Sequence, residues 1–125
     1  MNRRVIIDTN ALMIPANFNL DIFSELERLG FEEFIVPNAV VRELEGLQSK
    51  LKGREKIAAR VALTLLNRCE IVEVDGYADD VIMKLSKEKD AAVFTSDIEL
   101  KRRLISSGVT VVYLRQQKYL STSKE

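Results

Sequence analysis

The sequence predicts an α/β protein whose parallel sheet is covered by helices on both faces. Five short segments rich in Val and Ile alternate with segments of helical periodicity along the 125 residues. Strands that alternate with helices in this way form parallel sheets. The predicted strands are Arg4–Ile7, Phe34–Val36, Ile71–Val74, Ala92–Thr95 and Thr110–Leu114. We therefore expect a three-layer α/β/α sandwich with a five-stranded parallel sheet.

Three stretches between these strands carry the helical pattern. "REKIAARVALTLLNRC" repeats Ile57, Val61 and Leu65 at the four-residue spacing of one helix face. "IFSELERLG" ends at Gly30, a residue type that commonly follows the last turn of a helix. "PNAVVRELEGL" predicts a helix with Asn38 as its N-cap.

The length predicts one domain, which we place at residues 1–120, followed by a short polar tail at 121–125. Within the domain, "QSKLKGREK" is expected to be a flexible connection. No apolar run reaches the roughly 20 residues that span a membrane, and no signal-peptide pattern is present. We therefore expect no membrane association and a reducing, cytoplasmic location.

The composition narrows the chemistry. There is no His and the one cysteine is Cys69, which excludes the usual zinc sites, an internal disulfide and catalysis by Ser-His-Asp or Cys-His groups. Available acid–base or ligand chemistry is therefore mostly that of carboxylates. The formal net charge of zero decides nothing about nucleic acid, because a basic patch is compatible with a neutral total.

Acidic residues follow the predicted strands. Asp8 follows the first strand, Asp79 and Asp80 begin the helix after the third, and Asp97 begins the helix after the fourth. After the second strand, Glu43 flanks the apolar stripe of its helix and can lean inward. Ligands bind beyond the carboxyl ends of strands in such sheets. Converging carboxylates repel one another unless a cation such as Mg²⁺ or Mn²⁺ lies between them.

Each of these acids also has an ordinary structural role open to it. Asp8 could cap the following helix or form an Asx turn with Asn10. The acids after the third and fourth strands are well placed as helix caps, and Glu43 could simply be solvated. The joint pattern favours a metal site, since capping does not require Glu43 to flank an apolar stripe.

Five motifs in this order resemble those of the PIN-domain ribonucleases. They are "IIDTN", "VVREL", "YADDVIMKL", "VFTSDIELKRRL" and "VTVVYLR", and together they extend over nearly the whole chain. Their spacing is similar to that of small archaeal PIN proteins and of the eukaryotic PIN nucleases of ribosomal-RNA processing. The resemblance to VapC toxins is more distant.

The resemblance implies a PIN-like fold and Mg²⁺- or Mn²⁺-dependent endonuclease activity on RNA. By position, Asp8 is the first family acid, Glu43 the second and Asp97 the fourth. The third is Asp79, from its spacing to an apolar helix position, with Asp80 as the alternative. These four carry catalysis in this interpretation, and the metal ligands are Asp8, Asp79 or Asp80, and Asp97.

Other residues are expected to support the site or to hold RNA. Thr9, Asn10 and Ser96 neighbour the acids and could hold a ligand or a water. Phosphate contacts are expected from basic residues, each of which could equally be a solvated surface charge. These are Lys50, Lys52, Arg54 and Lys56 in one segment, Lys101, Arg102 and Arg103 in another, and Arg115 and Lys118 near the end. The aromatic residues Phe18, Phe31 and Tyr119 are too scattered to predict base stacking.

Rival interpretations remain beside the ribonuclease. A catalytically silent PIN-fold module for RNA binding or assembly would retain the same acids. A toxin paired with an antitoxin, or a nuclease with a ribosome-assembly partner, would use the same site, and a homodimer is compatible with either. A receiver-like phosphoacceptor domain does not fit, because it needs an acid pair at the first strand and a Lys after the fifth, where this chain has Arg115.

Overall fold

A computed structural model describes residues 3–124. It confirms the predicted fold class, a three-layer α/β sandwich. Met1 and Asn2, which open the predicted domain, and Glu125, which ends the predicted tail, lie outside the described residues.

The sheet has six strands. They are β1 (Arg4–Ile7), β2 (Glu33–Pro37), β3 (Glu70–Val72), β4 (Ala92–Phe94), β5 (Val111–Arg115) and β6 (Tyr119–Thr122). Their order across the sheet is β3-β2-β1-β4-β5-β6, and β1 to β5 run parallel to one another. The order reverses between β1 and β4, so a crevice is expected beyond the carboxyl ends of these two strands.

The sixth strand corrects the prediction of five strands and of a polar tail at 121–125. β6 pairs antiparallel with β5, Ser121 is buried, and the Ser123 hydroxyl accepts a hydrogen bond from the Val111 amide at 2.9 Å. The turn before β6 uses left-handed backbone at Gln116 and Gln117, with φ of 55° and 58°. Glycine or asparagine is the usual signal for such a hairpin turn, and its absence here hid the strand.

Seven α-helices and a short 3₁₀ helix, Leu66–Arg68, complete the described chain. The α-helices are α1 (Thr9–Leu12), α2 (Ile14–Phe18), α3 (Ile22–Arg28), α4 (Asn38–Lys50), α5 (Gly53–Leu65), α6 (Ala78–Glu88) and α7 (Ile98–Ser106). Only Leu51 and Lys52 separate α4 from α5, so most of the predicted flexible connection "QSKLKGREK" is helical.

The N-cap prediction for Asn38 was wrong. Pro37 occupies the N-cap position of α4, and Asn38 is the first helical residue. The Asn38 side chain instead donates to Glu73 Oε2 at 3.1 Å and accepts from the Val74 amide at 3.0 Å. It therefore ties the start of α4 to the segment that follows β3.

The core is apolar and centred on β1. Val5, Ile6 and Ile7 are fully buried, as expected for a strand covered on both faces. Burial of each such side chain contributes roughly 1.5–3 kcal/mol to stability. This rigid centre fixes the position of Asp8, the next residue along the chain.

No helix within residues 3–124 is long and apolar enough to cross a membrane.

Candidate active site

Asp8 lies at the centre of the carboxyl edge of the sheet, and its side chain is only 5% exposed. Its Oδ1 accepts a hydrogen bond from the Thr9 amide at 2.8 Å, and its Oδ2 accepts one from the Thr95 hydroxyl at 2.7 Å. Asn10 Nδ2 lies 3.5 Å from Oδ2. The carboxylate is therefore held in one orientation, while Oδ1, with a single donor, keeps a further lone pair for another partner.

Further hydrogen bonds order the segments that follow β1 and β4. The Thr95 hydroxyl accepts from the Asp97 amide at 3.1 Å, and Asn10 Oδ1 accepts from the Ser96 amide at 2.8 Å. Asp97 Oδ1 caps α7 by accepting from Glu99 and Leu100 amides at 2.9 and 3.1 Å. The capping role considered for Asp97 is confirmed, and its Oδ2 is left without a hydrogen-bond donor among the described residues.

Glu43 joins this edge from α4. Its Oε1 accepts a hydrogen bond from the Thr9 hydroxyl at 2.8 Å. Thr9 therefore connects two acids, through its amide to Asp8 and through its hydroxyl to Glu43. This supports the prediction that Glu43 leans inward from the flank of its helix.

The structure separates the two aspartates at the start of α6. Asp79 is partly buried and close enough to Asp97 and Asp8 for their charges to affect one another. The Asp80 side chain is 70% exposed and lies 3.8 Å from Arg103 Nη2. Of the pair, Asp79 is thus the one that faces the other acids.

Burial, together with the charge of neighbouring carboxylates, raises the pKa values of Asp8 and Asp79. Burial raises the pKa of Asp8 above its ordinary value of 3.8, the hydrogen bonds from Thr95 and Thr9 oppose this, and the charges of Asp79 and Glu43 add to it. Burial also raises the pKa of Asp79, and the charge of Asp97 reinforces the effect while Arg103 opposes it. A cation placed between these groups would relieve the repulsion.

The donor set fits a divalent cation in type and charge. Carboxylate oxygens are the ligands that Mg²⁺ and Mn²⁺ prefer, and the acids that face each other here retain unused oxygen lone pairs. Within residues 3–124, no three acidic or cysteine side chains already form a cluster of metal-binding geometry. A divalent ion bound by Asp8, Asp79 and Asp97 together would therefore require Asp79 and Asp97 to move toward the fixed Asp8.

A groove of about 840 Å³ leads away from the acids between α4 and the start of α6. Glu43 and Asp79 line one part of it, and Arg42, Lys50 and Tyr77 line another. Lys50 is one of the predicted phosphate contacts, whereas Arg42 and Tyr77 were not predicted from the sequence. For Arg42, the available signal was its four-residue spacing from Gly46 and Lys50 on α4.

The other predicted phosphate contacts fall into three places. Lys52 lies in the short turn between α4 and α5, and Arg54 and Lys56 lie in the first turn of α5; none of the three lines the groove. On α7, Arg102 is exposed, Arg103 pairs with Asp80, and Lys101 Nζ lies 3.7 Å from the centre of the Tyr113 ring. Arg115 and Lys118 are exposed at the turn between β5 and β6. Their role toward RNA stays a prediction.

The buried hydroxyl of Thr95 was missed. We expected Ser96 to support the site, but Ser96 is exposed and contributes its backbone amide, whereas Thr95 contacts Asp8 directly. The strand register gives the reason: Ile7 pairs with Phe94, so the next residues, Asp8 and Thr95, leave neighbouring strands side by side. Alignment of the two strand ends in the sequence would have indicated this pair.

Comparison with known proteins places this chain in a family. The sequence matches the PIN-like domain family over residues 5–117. The chain belongs to that family. The resemblance seen in the sequence is thereby confirmed, and nucleases with this domain generally use divalent metal ions.

Two curated relatives of this PIN-like domain are named ribonucleases. Ribonuclease VapC9 of Archaeoglobus fulgidus is 37% identical over 116 residues, which are 93% of this chain and 86% of the relative. Ribonuclease VapC4 of Methanocaldococcus jannaschii is 32% identical over 122 residues, covering 93% of each chain. Among solved structures, the PIN domain endonuclease Utp24 matches with a TM-score of 0.78 and 26% identity, covering 98% of this chain and 92% of the other.

Proposed function

We propose that this protein is an endoribonuclease that hydrolyses RNA phosphodiester bonds with Mg²⁺ or Mn²⁺. The main support is the environment of Asp8. Its buried carboxylate is held by Thr9 and Thr95 where the strand order reverses. The charges of Glu43 and Asp79 lie close enough to act on it. A buried charge is costly, and like charges around it increase that cost. The two curated relatives named ribonucleases support the same reaction.

The proposed metal ligands are Asp8, Asp79 and Asp97. Asp8 is the fixed ligand, because both of its oxygens are already oriented by hydrogen bonds. Asp97 offers Oδ2, since its Oδ1 caps α7. Asp80, the alternative third acid, is less suitable because it points to solvent beside Arg103.

A bound divalent ion lowers the pKa of a water and neutralises charge on the phosphate. The chain's own residues then position the reactants. Glu43 Oε2 has no hydrogen-bond donor among the described residues and can accept a hydrogen bond from an attacking water, while the Thr9 hydroxyl holds Oε1. Thr95 keeps the Asp8 carboxylate from rotating. No step requires a histidine, in agreement with a sequence that has none.

The biological setting is a finer proposal. The relatives named VapC favour a toxin-type ribonuclease with an antitoxin partner in the cytoplasm. Ribosomal-RNA processing with an assembly partner is the second candidate, favoured by the likeness to the Utp24 structure. A homodimer is compatible with both. Growth arrest on expression of the wild type, but not of Asp8→Asn, would select the toxin role.

The direct test is cleavage of labelled single-stranded and hairpin RNA with Mg²⁺, Mn²⁺ or EDTA, beside Asp8→Asn. We expect metal-dependent internal cleavage, and a fall of at least about 100-fold in the variant, as for loss of a central electrostatic group. Circular dichroism and a thermal melt would establish that Asp8→Asn is folded. RNA binding by the wild type without cleavage would instead favour the silent RNA-binding module, and equal cleavage by the folded variant would refute the assignment of Asp8.

A further inference from the structure

We propose that Tyr77 is a stacking platform for an unpaired nucleobase of the RNA, and that Arg42 and Lys50 hold the adjoining phosphates. This inference rests on the proposed function and adds to it how the strand beside the cleaved bond is held. The three side chains line the groove that opens from Glu43 and Asp79. A strand bound with its reacting phosphate at the acids would therefore place a neighbouring nucleotide in this groove.

Tyr77 has no structural role that explains its position. Its side chain is 85% exposed, against 66% for Ile98, the next most exposed large hydrophobic residue of the described chain. Within residues 3–124 its hydroxyl has no hydrogen-bond partner, and only its backbone caps α6. A large aromatic ring held in solvent beside an acid cluster suits a ligand with a π-face.

The backbone fixes where this ring stands. Gly76 has φ of +129°, and a Cβ added there would lie 3.3 Å from Val81 Cγ2. The following residue, Tyr77, is then the N-cap of α6, two residues before Asp79. The turn that exposes the ring is thus the same turn that sets the third acid.

The opposite wall of the groove supplies positive charge. Arg42, Gly46 and Lys50 follow one another at four-residue intervals and share one face of α4. Neither Arg42 nor Lys50 has an ion-pair partner within the described residues, whereas Arg3 and Arg4 pair with Glu32 and Glu33. Cations without internal partners are available to phosphate oxygens.

Together these features fit a single-stranded nucleotide better than a duplex. Stacking on a tyrosine needs a base whose face is open, and bases within an A-form helix are stacked on each other. The volume of about 840 Å³ is sufficient, since small-molecule sites usually span roughly 300–1,000 Å³. At Gly46 a Cβ would meet nothing within 4 Å, so the middle of the groove is open where a sugar or base would lie.

The experiment uses Tyr77→Trp, which places a single tryptophan in a chain that has none. A short single-stranded RNA of mixed sequence is titrated in EDTA, so that cleavage does not consume the ligand, and tryptophan fluorescence is followed. We expect quenching by this RNA, weaker quenching by an oligonucleotide with abasic sites, and none by the same RNA annealed to its complement. Equal quenching by the base-containing and abasic strands would overturn the stacking role.

Affinity measurements on unlabelled variants provide the second readout. Tyr77→Ala should weaken RNA binding by about 5- to 150-fold, the range found for loss of one base–aromatic stack, while Tyr77→Phe retains it. Phe18→Ala, which removes a partly exposed aromatic ring that does not line the groove, is the matched control and should bind normally. Wild-type affinity in Tyr77→Ala would refute the proposal.

The groove and its charges are tested separately. Gly46→Leu should obstruct binding, whereas Gly46→Ala should not, because both side chains enter open space and only Leu fills it. Arg42→Ala and Lys50→Ala should each lower the slope of log affinity against log salt by about 0.7, whereas Arg3→Ala should leave it unchanged. Unaltered binding in Gly46→Leu would show that RNA does not occupy this groove.

The two proposals fail in different ways. Fluorescence quenching of the Tyr77→Trp variant by single-stranded RNA, without any cleavage by the wild type, would keep the platform and reject the ribonuclease. Metal-dependent cleavage without quenching would keep the ribonuclease and reject the platform. Binding of a protein segment to the groove, with no response to RNA, would also reject the platform.

Discussion

Two neighbouring regions at the carboxyl edge of the sheet differ in how their polar side chains are paired. One, called the corner here, comprises Asp8, Thr9, Thr95 and Asp97, and the other is the groove beside Tyr77. In the corner, polar groups hold one another: Asp8 is bound by Thr9 and Thr95, and Thr95 in turn accepts from Asp97. In the groove, Arg42, Lys50 and Tyr77 have no such partners among the described residues.

The difference separates positioning from binding. A reaction centre loses rate when its groups are displaced by small distances, so rigid hydrogen bonding and burial suit the corner. A surface that takes a flexible polymer needs cations and an aromatic face that are not satisfied within the protein. The two regions therefore predict different phenotypes, loss of turnover at one and loss of affinity at the other.

The largest of the remaining effects is expected from Thr95→Val. The substitution keeps the β-branched shape but removes the donor to Asp8 Oδ2 and the acceptor for the Asp97 amide. Replacing a group that orients a metal ligand usually lowers activity or metal affinity by roughly 10- to 100-fold. We expect such a fall in the cleavage rate with little change in RNA affinity, and near-normal cleavage in Thr95→Ser. Equal activity of the Val and Ser variants would show that the hydroxyl does not position Asp8.

Gly76→Ala should affect stability and the groove together. A residue other than glycine at φ of +129°, with its Cβ 3.3 Å from Val81, is strained by roughly 1–3 kcal/mol. Relaxation of this turn would displace the adjoining Tyr77, so RNA affinity should fall as well. Denaturant unfolding and RNA titration measure the two effects. Gly46→Ala is the control and should be stabilised by roughly 0.5–1 kcal/mol, since it lies within a helix and faces open space.

In the absence of metal, Asp79→Asn should have a smaller effect on stability, and this effect should be a gain. Burial and the charge of Asp97 raise the pKa of Asp79 above its ordinary value of 3.8, so its ionisation costs stability once the pH exceeds that value. The Asn variant should therefore melt a few degrees higher than the wild type at pH 7. The difference should shrink as the pH falls and the wild-type carboxyl takes up its proton. Thermal melts across this range are the measurement, and a variant that melts lower at pH 7 would contradict the proposed repulsion.

The central sheet and the acids at its edge were predictable because their signals are local. Buried parallel strands appear as runs such as "VII", and an acid directly after such a run lies at the carboxyl edge by geometry alone. The helical periodicity of α4 is also a local signal. It predicted that Glu43 leans inward, and the Thr9 hydroxyl donates to Glu43 in the structure. Periodicity and strand ends together therefore indicated the acid cluster.

The missed features depend on contacts between distant segments or on atypical turns. Thr95 meets Asp8 only through the register of β1 and β4, which neither strand shows when its own sequence is read alone. Tyr77 joins Arg42 and Lys50 in one groove only because α4 and the start of α6 come together in the fold. β6 follows a turn formed by two glutamines, which carry no turn signal.

The most direct test of the account is calorimetric titration of Mn²⁺ into the wild type, Asp79→Asn and Asp80→Asn. The two variants remove the same charge from adjacent residues of one helix, but only Asp79 faces Asp8 and Asp97, whereas Asp80 lies beside Arg103. We predict that the wild type and Asp80→Asn bind Mn²⁺ with similar affinity and that Asp79→Asn loses most of it. Equal binding by all three proteins, or selective loss in Asp80→Asn, would contradict the proposal that Asp8, Asp79 and Asp97 form the metal site.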